Sequence, residues 1–476
     1  MITRRACLRA FSTLATVSTT GVVSACAVGH PYIAPQPNLP AAFPSQGAAS
    51  GDTAVALASW WNGLGDPQLS ACVERALKAN AELEIAQARI EQARAAFDEA
   101  RALSLPIGAA AASAGRGSDS TLSPEGRLLG AFQAGRETDL YSSVLAVGWE
   151  ADLFGRLKQA REARSALVES EAEKARATRV AVAAETARAY VILRSLQQRK
   201  IALGARVDLA GQALRLAERR AAVGEGAMVE ARKAQAQLAA LQAAQPQLQT
   251  GLERTADALD LLQGAPLGHS WELLAAPGEL PAALPEAVLD APVAAVARRP
   301  DVAAAERAVA AAHAGVRAAL AEYYPSVSLG GLVGYSRTEP EQLFDPEARL
   351  WAGGASVRWR ILDWGRLNAD LRSAKGREAE ALATYRSTVE QAVAEIDTAL
   401  SSVRGSAERA RRIAAFVDSM QGVRRAAARA HEVGAATRDP VLQADQELWQ
   451  AKDQSVLART AAVEASIDLY RALGAV

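Results

Sequence analysis

The chain repeats itself at one fixed spacing. Trp149 recurs as Trp359, Gly155-Arg156-Leu157 as Gly365-Arg366-Leu367, and Glu185 as Glu395. The pair Val223-Gly224 returns as Val433-Gly434, Ala234 as Ala444, Leu238 as Leu448 and Gly264 as Gly474, all 210 residues apart. One register held from a strand-like segment to the end of each half means two copies of one structural unit. At about 180 residues each, the copies are far longer than a solenoid repeat. Duplicated units of this size occupy equivalent places around an axis, so a ring or tube is the architecture to test.

Each half reads as a helix of about 35 residues, two strands, a helix of nearly 70, a break, and another helix of about 35. Asp66-Pro67 opens the first helix, with the carboxylate placed to cap and the proline in the first turn. Leu69, Val73, Leu77, Leu83, Ala86, Ile90 and Ala93 then follow at helical spacing towards Leu105, and Pro106 ends the run. The long and last helices of the first half are expected over 156–222 and 228–263. Those of the second half are expected over 293–323, 366–432 and 440–473. A helix of nearly 70 residues is about 100 Å long, wider than any globular core. Two shorter helices end to end match it. Four Ala-rich, evenly charged rods enclose little space, and so far a solid coiled-coil stalk fits as well.

The strands argue for a tube. Residues 106–116 and 139–150 flank one polar loop, and 325–337 and 350–361 flank another. They alternate small or polar with apolar positions and carry aromatics near their ends, as membrane β-strands of about ten residues do. Four strands cannot close a barrel, and lipid does not tolerate open sheet edges. Several chains must then share one barrel, and three would supply 12 strands and 12 helical rods.

The first residues address the chain to the envelope. Residues 1–25 combine Arg4, Arg5 and Arg9 with a weakly apolar middle and a small-residue end, Val23-Ser24-Ala25 before Cys26. This is a signal peptide rather than fold. Cys26 is then the lipidated first residue of the mature chain, with ordinary cleavage near Ala25 as the plainer reading. Ala27 follows it, which favours the outer membrane. Thr3-Arg4-Arg5 also has some likeness to a twin-arginine signal, although a membrane-inserting protein should cross unfolded. Residues 26–65 are Pro-rich and read as an extended tether. The first repeat is placed at 66–264, a linker at 265–292 and the second repeat at 293–476.

Lys+Arg and Asp+Glu both number 53, so no basic field exists to hold nucleic acid. Of three cysteines, Cys7 belongs to the signal and Cys72 stands alone on an apolar helical face, so no disulfide framework forms. His30, His269, His313 and His431 are scattered, without metal-ligand spacing. No nucleophile elbow or phosphate loop is present. No reaction, metal or cofactor is expected, apart from covalent lipid on Cys26.

Taken together, these residues resemble the TolC-like outer-membrane efflux family, in particular its NodT-type lipoproteins. The resemblance covers nearly all of the mature chain. It rests on Cys26-x-Val28-Gly29-His30-Pro31-Tyr32-x-x-Pro35, Trp60-Trp61 before Asp66-Pro67-x-Leu69, and Trp149-Glu150-x-Asp152-Leu153-Phe154-Gly155-Arg156. It continues in Arg298-Arg299-Pro300-Asp301-Val302-x-x-Ala305-Glu306, Tyr323-Tyr324-Pro325 and Leu469-Tyr470-Arg471-Ala472-Leu473-Gly474. His30 departs from the family's usual proline. The resemblance implies a homotrimer with a 12-stranded β-barrel in the outer membrane continuous with a periplasmic α-helical barrel. It also implies docking to a periplasmic adaptor and an inner-membrane transporter of the resistance-nodulation-division type, usually proton-driven.

Two groups of residues follow as candidates. Gly155 and Gly365 are expected to supply the backbone conformation needed where strand passes into helix. Arg156 and Arg366 there meet carbonyls or lipid headgroups, or are simply solvated. By resemblance, the turns at Gly224 and Gly434 form periplasmic tips that narrow the pore. Glu230 stands at an acidic position of the family, and Gln443 and Pro440 stand where relatives often carry aspartates. Asp439 is placed to take over, or to be a solvated helix-start charge. A ring of such carboxylates would attract cations into the aperture. The function expected is passive export of small molecules. A polypeptide-secretion duct and a structural coiled-coil lipoprotein are the alternatives.

Overall fold

The computed structural model describes residues 28–37, 39–45, 58–118, 120, 122–131, 137–284 and 292–476. The signal peptide and Cys26 lie outside these residues. The chain divides into two compact units. One holds the described residues up to Pro35 with Glu91–Glu169 and Glu306–Ala383, and the other holds Gln36–Ile90, Ser170–Ala305 and Thr384–Val476.

The first half contributes α1 (Pro67–Ala79), α2 (Ala81–Ala102), β1 (Ile107–Ser118), α3 (Pro124–Ala131), β2 (Glu137–Ala151), α4 (Arg156–Ala222) and α5 (Met228–Leu262). After the short α6 (His269–Leu273), the second half contributes α7 (Pro292–Ala297), α8 (Pro300–Ala321), β3 (Ser326–Arg337), β4 (Arg349–Arg358), α9 (Trp364–Glu432) and α10 (Asp439–Ala472). Asp66 caps α1, its Oδ1 accepting from the backbone N–H of Gln68 (2.8 Å) and Leu69 (3.3 Å). Two helices expected as continuous are broken. The first is interrupted at Asn80, whose side chain caps α2 through the Glu82 N–H (2.9 Å) and donates to the Leu262 carbonyl (2.9 Å). The other stops at Arg298-Arg299, because Pro300 disfavours helix at the residue before it and suits a new first turn. The polar loop between β1 and β2 contains α3, a helix too short to show a sequence period.

In the second unit, Trp60 and Leu64 pack with Leu69, Tyr190, Leu193, Leu259, Leu274, Ile467 and Tyr470 into the main apolar core. The Trp60 ring stacks on Tyr470 at 5.8 Å, and its Nε1 donates to the Ala475 carbonyl (3.2 Å). The tryptophan pair before α1 is thus held by the last helix of the second repeat. The segment after the tether's first prolines is docked as well. Phe43 is buried, and Ser45 gives both its N–H (2.7 Å) and its hydroxyl (2.9 Å) to the Asp397 carboxylate.

In the first unit, the strands form one antiparallel sheet in the order β1-β2-β3-β4. The two hairpins, one from each repeat, meet along β2 and β3, with Tyr141 opposite Arg337 and Ala151 opposite Val327.

Candidate functional site

The strand register sorts the side chains into two faces, because successive residues point to opposite sides. One face carries Tyr141, Leu145, Val147 and Trp149, then Val327, Leu329, Val333 and Tyr335, then Trp351, Ala355 and Val357. The other carries rows in which small residues predominate. Ala109, Ala146, Leu332 and Ala352 form one row, Ile107, Gly148, Gly330 and Gly354 the next, and Ser113, Ser142 and Ser336 a third. The Ser113 and Ser142 hydroxyls are hydrogen-bonded at 2.8 Å. The first face suits lipid, with aromatics near its ends, and the second suits a passage for solutes.

Where strand meets helix, the two copies share one device and differ in another. The Trp149 indole donates to the Ser104 carbonyl, and the Trp359 indole to the Tyr323 carbonyl, both at 3.0 Å. Each tryptophan so ties the end of its hairpin to the end of the preceding helix. The glycines part company. Gly155 has φ +78° and sits in a tight turn, whereas Gly365 lies inside α9, which starts at Trp364. The expectation of a special backbone at Gly365 is therefore wrong. The difference lies in where an acid stands before the helix and what it binds. In the first copy Asp152 stands four residues before the helix and accepts from the N–H of Leu157 (3.0 Å) and Lys158 (2.7 Å). In the second, Asp363 immediately precedes the helix, its backbone carbonyl accepting from the Leu367 N–H (3.1 Å) and its carboxylate from Arg360.

The arginines also diverge. Arg156 donates from Nη2 to both Glu150 oxygens at 2.9 Å and lies 3.6 Å from Glu322. It meets carboxylates rather than carbonyls, with about a third of its side chain left exposed. Arg366 is largely exposed, with Asp363 4.0 Å away. Arg360 does the work on that side, bonding Asp363 (3.0 and 2.5 Å) and Glu322 (3.4 Å). Glu322 thus bridges the two copies. The sequence signal for this network is the break in the repeat, Glu150 in one copy and Arg360 in the other.

At the far ends of the long helices the copies agree. Gly224 (φ +77°) and Gly434 (φ +71°) are the left-handed residues of Schellman turns. The Glu225 N–H bonds the Arg220 carbonyl (2.9 Å) and the Gly224 N–H that of Ala221 (3.2 Å). Ala435 bonds Ala430 (2.8 Å) and Gly434 bonds His431 (3.0 Å) in the same pattern. Gly264 and Gly474 end α5 and α10 in this way too. Glu230 is exposed in the first turn of α5. Asp439, at the start of α10, is ion-paired with Arg220, so it is not an uncompensated aperture charge. Gln443 donates to Glu447 (3.0 Å). Val223, Met228, Val229 and Val433 are exposed around these turns.

Among the described residues no group of His, Cys, Asp and Glu could hold a metal ion, and no helix is long and apolar enough to cross a membrane.

The family described as "Outer membrane efflux protein" matches residues 72–265 and 291–475. Nodulation protein T of Rhizobium leguminosarum bv. trifolii is 26% identical over 456 residues, covering 95% of this chain and 94% of its own. Pyoverdine export outer membrane protein OpmQ of Pseudomonas putida is 30% identical over 419 residues, 87% of each chain. Among solved structures, the outer-membrane channel OprN superposes with a TM-score of 0.84 at 30% identity, over 95% of this chain and 99% of that one. The Campylobacter jejuni CmeC outer membrane channel shares the fold, with a TM-score of 0.81 at 21% identity over 93% and 94%. The match takes in both repeats, their strands and their helix-ending turns, so the chain belongs to the outer membrane efflux protein family and is an outer-membrane exit duct.

Proposed function

We propose that three copies close one 12-stranded barrel in the outer membrane and that small molecules leave through it passively. The observation that carries this reading is the sheet, which has one face apolar along most of its length, charged only towards one end, and outer edges at β1 and β4. Lipid does not tolerate such edges, so another copy must pair with each. Two copies would give eight strands, an interior that side chains fill, whereas 12 leave a passage. Having no energy source of its own, the duct depends on an inner-membrane transporter reached through a periplasmic adaptor. Small molecules are favoured over polypeptides by the NodT-like start and by a relative named for pyoverdine export. Acylation of Cys26 adds a lipid anchor.

Electron microscopy of the detergent-solubilised protein should show long hollow particles with threefold end views. Solid rods or compact monomers would remove the duct reading and leave a lipid-anchored coiled coil. With Asp439 paired to Arg220, Glu230 is the remaining candidate for an aperture carboxylate. Planar-bilayer recordings of Glu230→Gln should show altered discrimination between salts, and unchanged conductance in all of them would exclude Glu230 from the aperture.

A further inference from the structure

The geometry points to His313 as a proton-dependent latch that holds the N-terminal tether on α8. The described start of the tether meets α8 at three rungs. Tyr32 donates its hydroxyl to Glu306 Oε1 (2.5 Å), the His30 carbonyl faces His313 Nε2 (3.1 Å), and the Val28 carbonyl accepts from Arg317 Nε (3.3 Å). Glu306, His313 and Arg317 are spaced by seven and four residues, so they share one helix face. The tether numbers fall as the helix numbers rise, so the segment runs antiparallel to α8. Gly29 is needed in this track. Its φ is +94°, and a Cβ there would lie 3.2 Å from Arg317 Cγ.

The middle rung has a chemical requirement that the others lack. His313 Nδ1 lies 2.7 Å from Glu378 Oε1 on α9, while Nε2 faces the His30 carbonyl. Both neighbours are acceptors. A neutral imidazole has one N–H and one lone pair, so one nitrogen would face an oxygen with no proton between them. The imidazolium fills both contacts. The Tyr32 ring lies against it at 5.7 Å, between centroids. The other charges nearby do not supply the missing proton. Arg317 is 3.8 Å from Glu162, and Arg307 is engaged by Glu306 and, at 3.1 Å, by Glu169. The sign follows directly. The docked tether binds one proton more at His313 than the released tether needs, so docking is favoured on the acid side and weakens as the pH rises.

The test is electron paramagnetic resonance of the full chain in detergent, with a nitroxide amino acid placed at Ile33 by stop-codon suppression. Ile33 is an exposed tether position, 82% accessible. Between about pH 5.5 and about pH 8.5, where histidines commonly change charge, the wild-type spectrum should lose its immobilised component. His313→Ala should lack that component at both ends of the range. Glu378→Gln should keep it at both, because the amide can donate to a bare ring nitrogen. A wild-type spectrum that does not change with pH overturns the proposal. So does an immobilised tether in His313→Ala, or a wild-type pH response retained in Glu378→Gln. Should His313→Ala fail to fold, Glu378→Gln against wild type still decides.

Discussion

Four glycines end four helices in one geometry, which makes them a controlled comparison of what a methyl group costs. At Gly224 and Gly434 an added Cβ meets nothing within 4 Å, so Gly→Ala there carries the left-handed strain alone. That strain is about 1–2 kcal/mol, offset by up to about 1 kcal/mol from the stiffer unfolded chain, leaving about 1 kcal/mol. At Gly264 the same strain applies, but the Cβ would lie 2.2 Å from the Ala79 carbonyl oxygen and 3.1 Å from its carbon. That carbonyl cannot retreat freely, since Asn80 beside it is bonded to the Leu262 carbonyl at the end of α5. Forcing an atom into such a place adds about 1–3 kcal/mol, so Gly264→Ala should cost about 2–4 kcal/mol. Gly474 is intermediate, with Pro300 Cδ at 3.0 Å and Arg299 Cα at 3.2 Å. Thermal unfolding in detergent, followed by far-ultraviolet circular dichroism, should therefore rank the alanine variants. Gly224 and Gly434 should move the midpoint by a degree or two, Gly474 by more, and Gly264 most, about three times the shift at Gly224. Equal shifts at Gly224 and Gly264 would refute the reasoning, because they would mean that the α1–α2 break yields at no cost.

Arg299 is buried and bonds Asp301 (3.0 and 2.7 Å), Glu395 (2.8 Å) and the Ala472 carbonyl (2.9 Å). Arg299→Met should cost about 2–3 kcal/mol, below the usual figure for a broken buried pair because both carboxylates are partly exposed, and denaturant unfolding measures it. Glu464 is held above the ordinary carboxylate range by burial, opposed by Arg188 and reinforced by Asp468. A raised folded-state value means stability is lost as the pH rises through it, so Glu464→Gln should be more stable than wild type at neutral pH. That advantage should disappear in acid, as melting curves at the two pH values would show. The pairing of β2 with β3 also predicts the register between copies. Shifting Val147 forward by 210 gives Val357, and shifting Gly331 back by 219, the offset of the two tryptophan-bonded carbonyls, gives Ala112. Cysteines at Ala112 and Val357 should form a disulfide between copies on oxidation, while pairs displaced by two residues should not. Cys72 should stay out of the reaction, because burial pushes its thiol up to about 11.

What could be read in advance followed local chemistry. Asp66-Pro67 marks a helix start, and Val-Gly pairs after long charged helices mark Schellman ends. These signals depend on a residue and its immediate neighbours, and the structure has them where the residues stand. The fixed 210-residue register misled at Gly365, because identity of type hides a one-residue displacement of the acid before the helix, from Asp152, which caps, to Asp363, which binds Arg360. It also concealed Arg360, which stands where the first copy has Glu150. The pairing of Asp439 with Arg220 joins residues 219 apart, and no local pattern announces it. The tether reads as extended from its prolines, but two of its three rungs use backbone carbonyls, which every residue has and no composition reveals.

The seam between β2 and β3 has a consequence for the order in which the molecule can be made. Its partners, from Tyr141–Ala151 and Val327–Arg337, lie at least 176 residues apart in sequence. Closing so long a loop is slow, and an isolated two-stranded hairpin is at best marginally stable. A chain emerging from its first residues therefore completes the β1–β2 hairpin long before anything exists to lie beside it. Throughout that interval both flanks of the hairpin offer unpaired backbone groups. A chain released at half its length would keep those flanks bare permanently. The β2 flank is the one that completion covers, so it alone separates a finished chain, whose β1 and β4 edges still await another copy, from an unfinished one.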